Sequence, residues 1–179
     1  YANQLLRSSY LAMKKTALSI LKNKRSFESE KNISSVKEII NLKLFIFIMI
    51  NTIDFVKLLI KNKIKFFSGV PDSCTNNFCN ELSKRKNIIN IISPNEGNAI
   101  SLGIGYHLST EKIPCVYMQN SGLGNATDPI TNLMSKEIYN LPLLMIIGWR
   151  GKPGTFDEPQ HLIQGKALLS TLKSFNIKY

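Results

Sequence analysis

From Thr52 to Ser174 the apolar positions switch repeatedly between a helical and an extended rhythm. Asp54–Asn62 carries Phe55, Leu58 and Leu59 on one helical face behind Thr52 as a cap. Ile64–Ser68 is a short run stopped by Gly69 and Pro71, and Ser73–Lys84 returns to helical spacing with Phe78 and Leu82 inward. Ile88–Ser93 is the next strand. Glu96–Leu108 follows as a helix with Ala99, Leu102, Gly103 and Tyr106 on one face. Gly103 and Gly105 each cost up to ~1 kcal/mol against alanine in a helix interior, so close packing on the sheet is the expected reason for both. Pro114–Gln119, a helix over Gly122–Met134, Pro142–Gly148, a polar loop and a helix from His161 to Ser174 complete the order. Strands alternating with helices predict an α/β fold with a doubly wound parallel sheet.

The first third of the chain reads differently. Leu5, Leu6, Ala12, Met13, Ala17, Ile20 and Leu21 recur at helical intervals with no strand beside them. Residues 1–41 are therefore expected to be a helical tail, residues 42–50 an apolar linker, and residues 51–179 the α/β domain. The longest apolar run, Leu44–Ile50, spans seven residues, against ~18 for a membrane span. With 44% hydrophobic residues, a soluble cytoplasmic protein is expected, with no membrane partner.

The formal charge of +11 invites a nucleic-acid reading. Its location argues against one: residues 1–65 hold 13 Lys and Arg against 4 Asp and Glu, and residues 66–179 hold 10 against 8. The excess is almost all lysine, whereas phosphate recognition favours arginine forks and stacking aromatics. Cys74, Cys79 and Cys115 have no metal-site spacing and are odd in number, so they are read as buried thiols, with Cys74 and Cys79 on one helix. With His107 and His161 the only histidines and neither beside a cysteine pair, no metal ligands are expected.

Gly122-Leu123-Gly124-Asn125-Ala126-Thr127 imitates a dinucleotide fingerprint, but threonine holds its third glycine position and it follows the third strand. Lys152 lacks the rest of a P-loop. Ser121, His161 and Asp157 have the residue types of a hydrolytic triad without a nucleophile elbow around the serine. What remains is a set of strand-to-helix turns: Asp72 in Gly69–Ser73, Glu96 in Asn95–Ala99, Gln119–Asn125, and the loop from Gly148 through Arg150 to His161. Open α/β sheets bind ligands at such turns, and Glu96 at the start of a helix also meets its positive dipole end.

These turns carry a family resemblance. GVPDS (69–73), NEGNA (95–99), GYHL (105–108), YMQNSGLGN (117–125), IGWRG (147–151) and DEPQH (157–161) occur in the order found in phosphonopyruvate decarboxylases. Residues 49–179 thus resemble the pyrimidine-binding half of these thiamine-diphosphate enzymes, with the separate alpha subunit of sulfopyruvate decarboxylase a near relative. Residues 1–40 resemble the C-terminal end of phosphoenolpyruvate mutase, without its barrel or magnesium site.

The resemblance implies that Glu96 hydrogen-bonds N1′ of the cofactor's aminopyrimidine and that Asp72 faces the substrate as a second catalytic group. Asp72 is equally readable as a helix cap for the segment from Ser73. Asn120, Ser121 and Gly122 would bind cofactor, and Gln119, Arg150 and His161 would lie toward the substrate, a small 2-oxo acid. Thiamine diphosphate and Mg2+ are the implied cofactors. The Gly-Asp-Gly…Asn stretch that holds diphosphate and metal in such enzymes does not occur in these 179 residues. The implied partner is therefore a diphosphate-binding domain or subunit, in a homo- or hetero-oligomer.

Overall fold

Four runs rich in β-branched and aromatic residues form four parallel strands in the computed structural model, which describes residues 51–179. They are β1 (Phe66–Gly69), β2 (Ile89–Ile92), β3 (Cys115–Gln119) and β4 (Leu144–Gly148), in the order β2-β1-β3-β4. The tail and linker expected over residues 1–41 and 42–50 lie outside the described residues, as does their mutase resemblance. Phe66 to Gly69 stand opposite Ile89 to Ile92, and Phe67 to Gly69 opposite Cys115 to Tyr117. On the other side of β3, Cys115 to Gln119 face Leu144 to Gly148. The chain winds outward one way from β1 and the other way from β3. Their C-terminal ends therefore open the crevice at which ligands bind in such sheets.

The helices α1 (Thr52–Lys61), α2 (Asn76–Ser83), α3 (Glu96–Thr110) and α4 (Pro159–Ser174) cover both faces. β3 makes the division visible, because a strand sends alternate side chains to opposite faces. Cys115 and Tyr117 join Phe67, with Val56 and Leu59 of α1 and Phe78 and Leu82 of α2. Val116 and Met118 join Ala99, Ile100 and Ile104 of α3 and Leu168 and Leu172 of α4. Burying each such side chain contributes roughly 1.5–3 kcal/mol before conformational entropy is set against it. The fold class expected from the sequence is the one observed.

Several details depart from expectation. The cap of α1 is Asn51, whose side chain accepts from the Ile53 N–H at 2.9 Å, rather than Thr52. Val56, not Leu58, completes the buried stripe of α1, and Leu58 is 54% exposed. On α3, Ile100 and Ile104 face the core while Leu102 is exposed. Cys74 precedes α2 and is exposed, so it shares neither a helix with Cys79 nor a buried setting with Cys115. The single helix expected over Gly122–Met134 is broken into a 3-10 turn Asn120–Leu123, a short α turn Thr127–Pro129 and a π turn Ile130–Met134. Gly122, Gly124 and Pro129 are poor propagators of a regular ladder.

The two glycines of α3 separate. A Cβ on Gly103 would sit 3.1 Å from Leu143 and 3.3 Å from Val116, so its smallness serves helix–sheet packing; around Gly105 there is open space. On β1, a Cβ on Gly69 would lie 2.1 Å from the Tyr117 carbonyl oxygen, a backbone atom that cannot step aside. Gly105→Ala should accordingly raise stability by roughly 0.5–1 kcal/mol. Gly69→Ala should lower it by about 1–3 kcal/mol or more. Urea midpoints of the two variants check both signs, and a stabilised Gly69→Ala chain would contradict the packing.

Candidate active site at the strand ends

The turn after β2 is fixed before Glu96 is reached. The Ser93 N–H donates to the Gly69 carbonyl at 2.9 Å, and the buried Ser68 and Ser93 hydroxyls share a hydrogen bond of 2.8 Å. Asn95, in extended conformation, then caps α3 by accepting from the Asn98 N–H at 2.8 Å. Glu96 is the first residue of the helix and only 8% exposed. The Asn125 side-chain amide donates to Glu96 Oε2 at 2.8 Å. Glu96 Oε1 has no hydrogen-bond partner among the described residues. No sealed, unpartnered side-chain oxygen occurs there either, so Oε1 keeps some solvent-accessible surface. Beside it lies Gly122, where a Cβ would come within 2.6 Å of Oε1 and 2.4 Å of Cγ.

Asp72 follows β1 in a turn rather than at a helix start. Its Oδ1 accepts from the Cys74 N–H and, at 3.4 Å, from the Thr75 N–H. The helix begins only at Asn76, so Asp72 caps the preceding turn and not α2 itself. Gly148, at the end of β4, faces the same carboxylate: a Cβ there would be 2.8 Å from Oδ2. Although the residue is exposed as a whole, partial desolvation of its sulfur and then the nearby Asp72 charge push the Cys74 thiol above its ordinary value.

Asn120, only 3% exposed, spends its carboxamide on the chain after β4. Its Nδ2 donates to the Arg150 carbonyl and its Oδ1 accepts from the Arg150 N–H, each at 3.0 Å. Gln119 donates to the Ser121 hydroxyl at 2.7 Å, which leaves that hydroxyl its own proton to donate. Arg150 is not a free cation. Its Nε reaches both carboxylate oxygens of Asp157 at 3.1 and 2.9 Å, its Nη2 reaches Oδ1 at 2.6 Å, and its Nη1 donates to Ser73 Oγ at 2.8 Å. His161 is half-buried in the first turn of α4, and its ring makes no hydrogen bond among the described residues. Its carbonyl closes on Gly151, which has φ +65°, and leaves no space there for a Cβ.

Glu96 with Gly122, at the ends of β2 and β3, and Asp72 with Gly148, at the ends of β1 and β4, are thus brought together, each pair across one intervening strand. Asn125 and Ser73 are working members of this arrangement that residue type alone did not single out, and Asp157, noticed only as a triad residue type, pairs with Arg150 instead. Asn125 stood at the end of a motif already noted, but its bond to Glu96 spans 29 residues and has no sequence signature. Among the described residues no group of three or more His, Cys, Asp or Glu is placed to hold a metal ion. No helix there is long and apolar enough to cross a membrane.

Residues 53–174 match the family described as thiamine pyrophosphate enzyme, N-terminal TPP binding domain. The chain belongs to this family. Phosphonopyruvate decarboxylase of Streptomyces viridochromogenes is 34% identical over 118 residues, 66% of this chain and 29% of that protein. The phosphonopyruvate decarboxylase of Streptomyces hygroscopicus is 35% identical over 99 residues, 55% of this chain and 24% of that protein. Sulfopyruvate decarboxylase subunit alpha of Methanocaldococcus jannaschii is 34% identical over 90 residues, 50% of this chain and 52% of that subunit. The chain therefore spans about a quarter to a half of the curated relatives it matches. At the strand ends of this TPP-binding domain Glu96 keeps one oxygen, Oε1, without a hydrogen-bond partner among the described residues. It is an acceptor that a heterocycle's ring N–H could meet, and the buried Gly122 makes room for the Glu96 carboxyl itself.

The ion pair gives the site a pH signature. Hydrogen bonds from the Arg150 guanidinium, then from the Gly151 and Glu158 N–H groups, hold the Asp157 carboxyl well below the usual carboxylate range. A lowered folded value stabilises the fold above the unfolded value and loses that contribution as pH falls through the folded one. The stability gap between the native chain and Asp157→Asn should therefore be full at neutral pH and narrow between about pH 4 and pH 2. Thermal melts across that range test it, and a gap that widens on acidification would contradict the pairing.

Proposed function

We propose that this chain supplies the pyrimidine-binding half of a thiamine-diphosphate-dependent decarboxylase that converts phosphonopyruvate to phosphonoacetaldehyde and carbon dioxide. The observation that carries the reading is Glu96. It is a nearly buried carboxyl at a strand end, with one oxygen held by a neutral amide and the other open beside a bare glycine. When bound, thiamine diphosphate supplies the electron sink for the pair released as carbon dioxide leaves the 2-oxo acid. Glu96 holds a proton at N1′ of the aminopyrimidine, and Asn125 fixes the carboxyl so that one oxygen alone faces the ring. Gly122 leaves room for the Glu96 carboxyl that meets the ring, and the Ser121 hydroxyl and the Asn120 turn border the ring. Asp72, beside the crevice, moves protons on the substrate side, with Gln119 and His161 toward the substrate's anionic tail.

The diphosphate and its Mg2+ are held, on this reading, by a partner domain or subunit. An edge strand with open apolar residues is a surface that proteins ordinarily cover. Ile91, Ile92 and Pro94 of the β2 edge, together with Leu102 of α3, offer one next to Glu96; Ile92 is 68% exposed. The phosphonate substrate is favoured by the two Streptomyces relatives and by the resemblance of residues 1–40 to a phosphonopyruvate-forming mutase. A second reading, the alpha subunit of a sulfopyruvate decarboxylase, is supported by the identity to that methanogen subunit. Both substrates are 2-oxo acids with a tetrahedral anionic tail.

Carbon dioxide release from phosphonopyruvate and from sulfopyruvate, with thiamine diphosphate and Mg2+ present, tests the proposal. The chain is assayed alone and mixed with a matching diphosphate-binding domain. Activity is expected only in the mixture, faster on phosphonopyruvate, and about 10²–10⁴-fold lower for Glu96→Gln. Gly122→Ala should also lose activity while keeping the native circular dichroism spectrum. A bound, folded mixture silent on both substrates would overturn the enzyme reading, and an unimpaired Glu96→Gln would remove Glu96 from the chemistry.

A further inference from the structure

Arg150 is the most natural residue of this domain to assign to an anionic substrate tail, yet its surroundings give it other work. A guanidinium has five N–H donors in one plane, and their directions are fixed. Here one edge of the fork is spent on Asp157, through Nε and Nη2, and Nη1 gives one of its two N–H groups to the Ser73 hydroxyl, so three of the five donors are engaged. Asp157 is itself held in place by the Gly151 N–H at 2.7 Å and the Glu158 N–H at 2.8 Å. An arriving anion would meet a cation already neutralised at hydrogen-bond distance. It would have to compete with a carboxylate that the loop presents without further ordering.

The backbone of the same residue carries the two bonds to Asn120. Three turns therefore converge on Arg150: the turn after β1 through Ser73, the turn after β3 through Asn120, and its own loop after β4 through Asp157. Ser73 is the residue next to Asp72, and Gly148, two residues before Arg150, packs against the Asp72 carboxylate. Gly122, two residues after Asn120, packs against Glu96. The two carboxylates of the crevice are thus seated on turns that Arg150 joins.

We infer that Arg150 is a positioning residue: its fork, anchored by Asp157, locks the Asp72 turn to the Asn120–Gly122 turn, and the anionic tail of the substrate is not its ligand. The catalytic consequence rests on the proposed decarboxylase reading; the mechanical one rests on the chain alone. Lysine keeps the charge but has a single nitrogen, which cannot serve Asp157 by two donors and Ser73 by a third. Arg150→Lys should therefore behave like Arg150→Met, whereas a residue that binds an anion by charge would be largely rescued by lysine.

Hydrogen exchange of the chain by itself reads the lock without any assay of activity. In both variants the amides of Cys74, Thr75 and Arg150 should exchange about tenfold faster or more, with the central amides of α3 unchanged. Ser73→Ala, which spares the ion pair, should loosen Cys74 and Thr75 alone and guards against a variant that fails to fold. Native protection in Arg150→Lys, or in Ser73→Ala, would overturn the inference. In the mixture with a diphosphate-binding domain, Arg150→Lys and Arg150→Met should lower kcat about tenfold with KM changed less than about threefold. Preserved kcat, with KM raised in Arg150→Met and rescued in Arg150→Lys, would make Arg150 the tail's ligand and overturn the inference. A native mixture inactive on both substrates sinks the decarboxylase reading instead, and the exchange result still decides the lock.

Discussion

The exchange of two hydrogen bonds between the Asn120 carboxamide and the Arg150 backbone is the constraint on which the mouth of this domain depends. Parallel strands end on one edge without being joined there, because each continues into a turn that leads to a helix on one face of the sheet or the other. The ladder between β3 and β4 stops at Gln119 and Gly148. Asn120 prolongs that pairing by one further step, using a side chain where the backbone has already turned away. Being almost fully buried, it makes these bonds without competition from water, and losing them would leave buried polar groups unpaired. From that anchored point Arg150 reaches sideways to Ser73, and the turn after β3 reaches the other way, through Gly122 and Asn125, to Glu96.

A shared device seats both carboxylates. Glu96, after β2, lies against Gly122 of the turn after β3; Asp72, after β1, lies against Gly148 at the end of β4. In each case a residue without a side chain stands where any Cβ would press on the carboxyl group. The two glycines are not there for unusual backbone angles, since neither has positive φ. They are there because carboxyl and backbone approach closely across the sheet edge. This gives a physical meaning to motifs that read as strings: the glycines of SGLGN and IGWRG are the floors under the acids of NEGNA and GVPDS.

The periodicity of the sequence carried the architecture further than it carried the site. Among the described residues, helical and extended rhythms located each strand within two residues and each major helix within three, because those rhythms are set by which face is buried. They failed where burial does not dictate local form. The stretch after Asn120 has apolar residues at helical intervals, yet Gly122, Gly124 and Pro129 break it into 3-10, α and π turns. Leu58 and Leu102 fit their stripes in sequence but face outward, since a stripe has a width that spacing alone does not limit. Glu96 and Asp72 were legible as acids at strand ends. Their partners were not: Asn125 is 29 residues from Glu96, and Ser73 is 77 from Arg150. Such pairs exist only once the strand order is known.

The partners also divide the acids by chemistry. Asp157 is met by a guanidinium fork and by two backbone donors, a setting that keeps a carboxylate ionised and fixes a loop. Glu96 is met by one neutral amide, and no cation bonds to it among the described residues. A group that must share a proton with a bound ring is poorly served by a permanent positive charge, which holds it in one state. It is well served by a neutral donor that orients it and leaves the second oxygen open. On the proposed reading, the placement of arginine with Asp157 and of asparagine with Glu96 suits one acid to mechanical work and the other to proton chemistry. That division also explains why the residue with the strongest charge at the crevice need not be the one that meets the substrate.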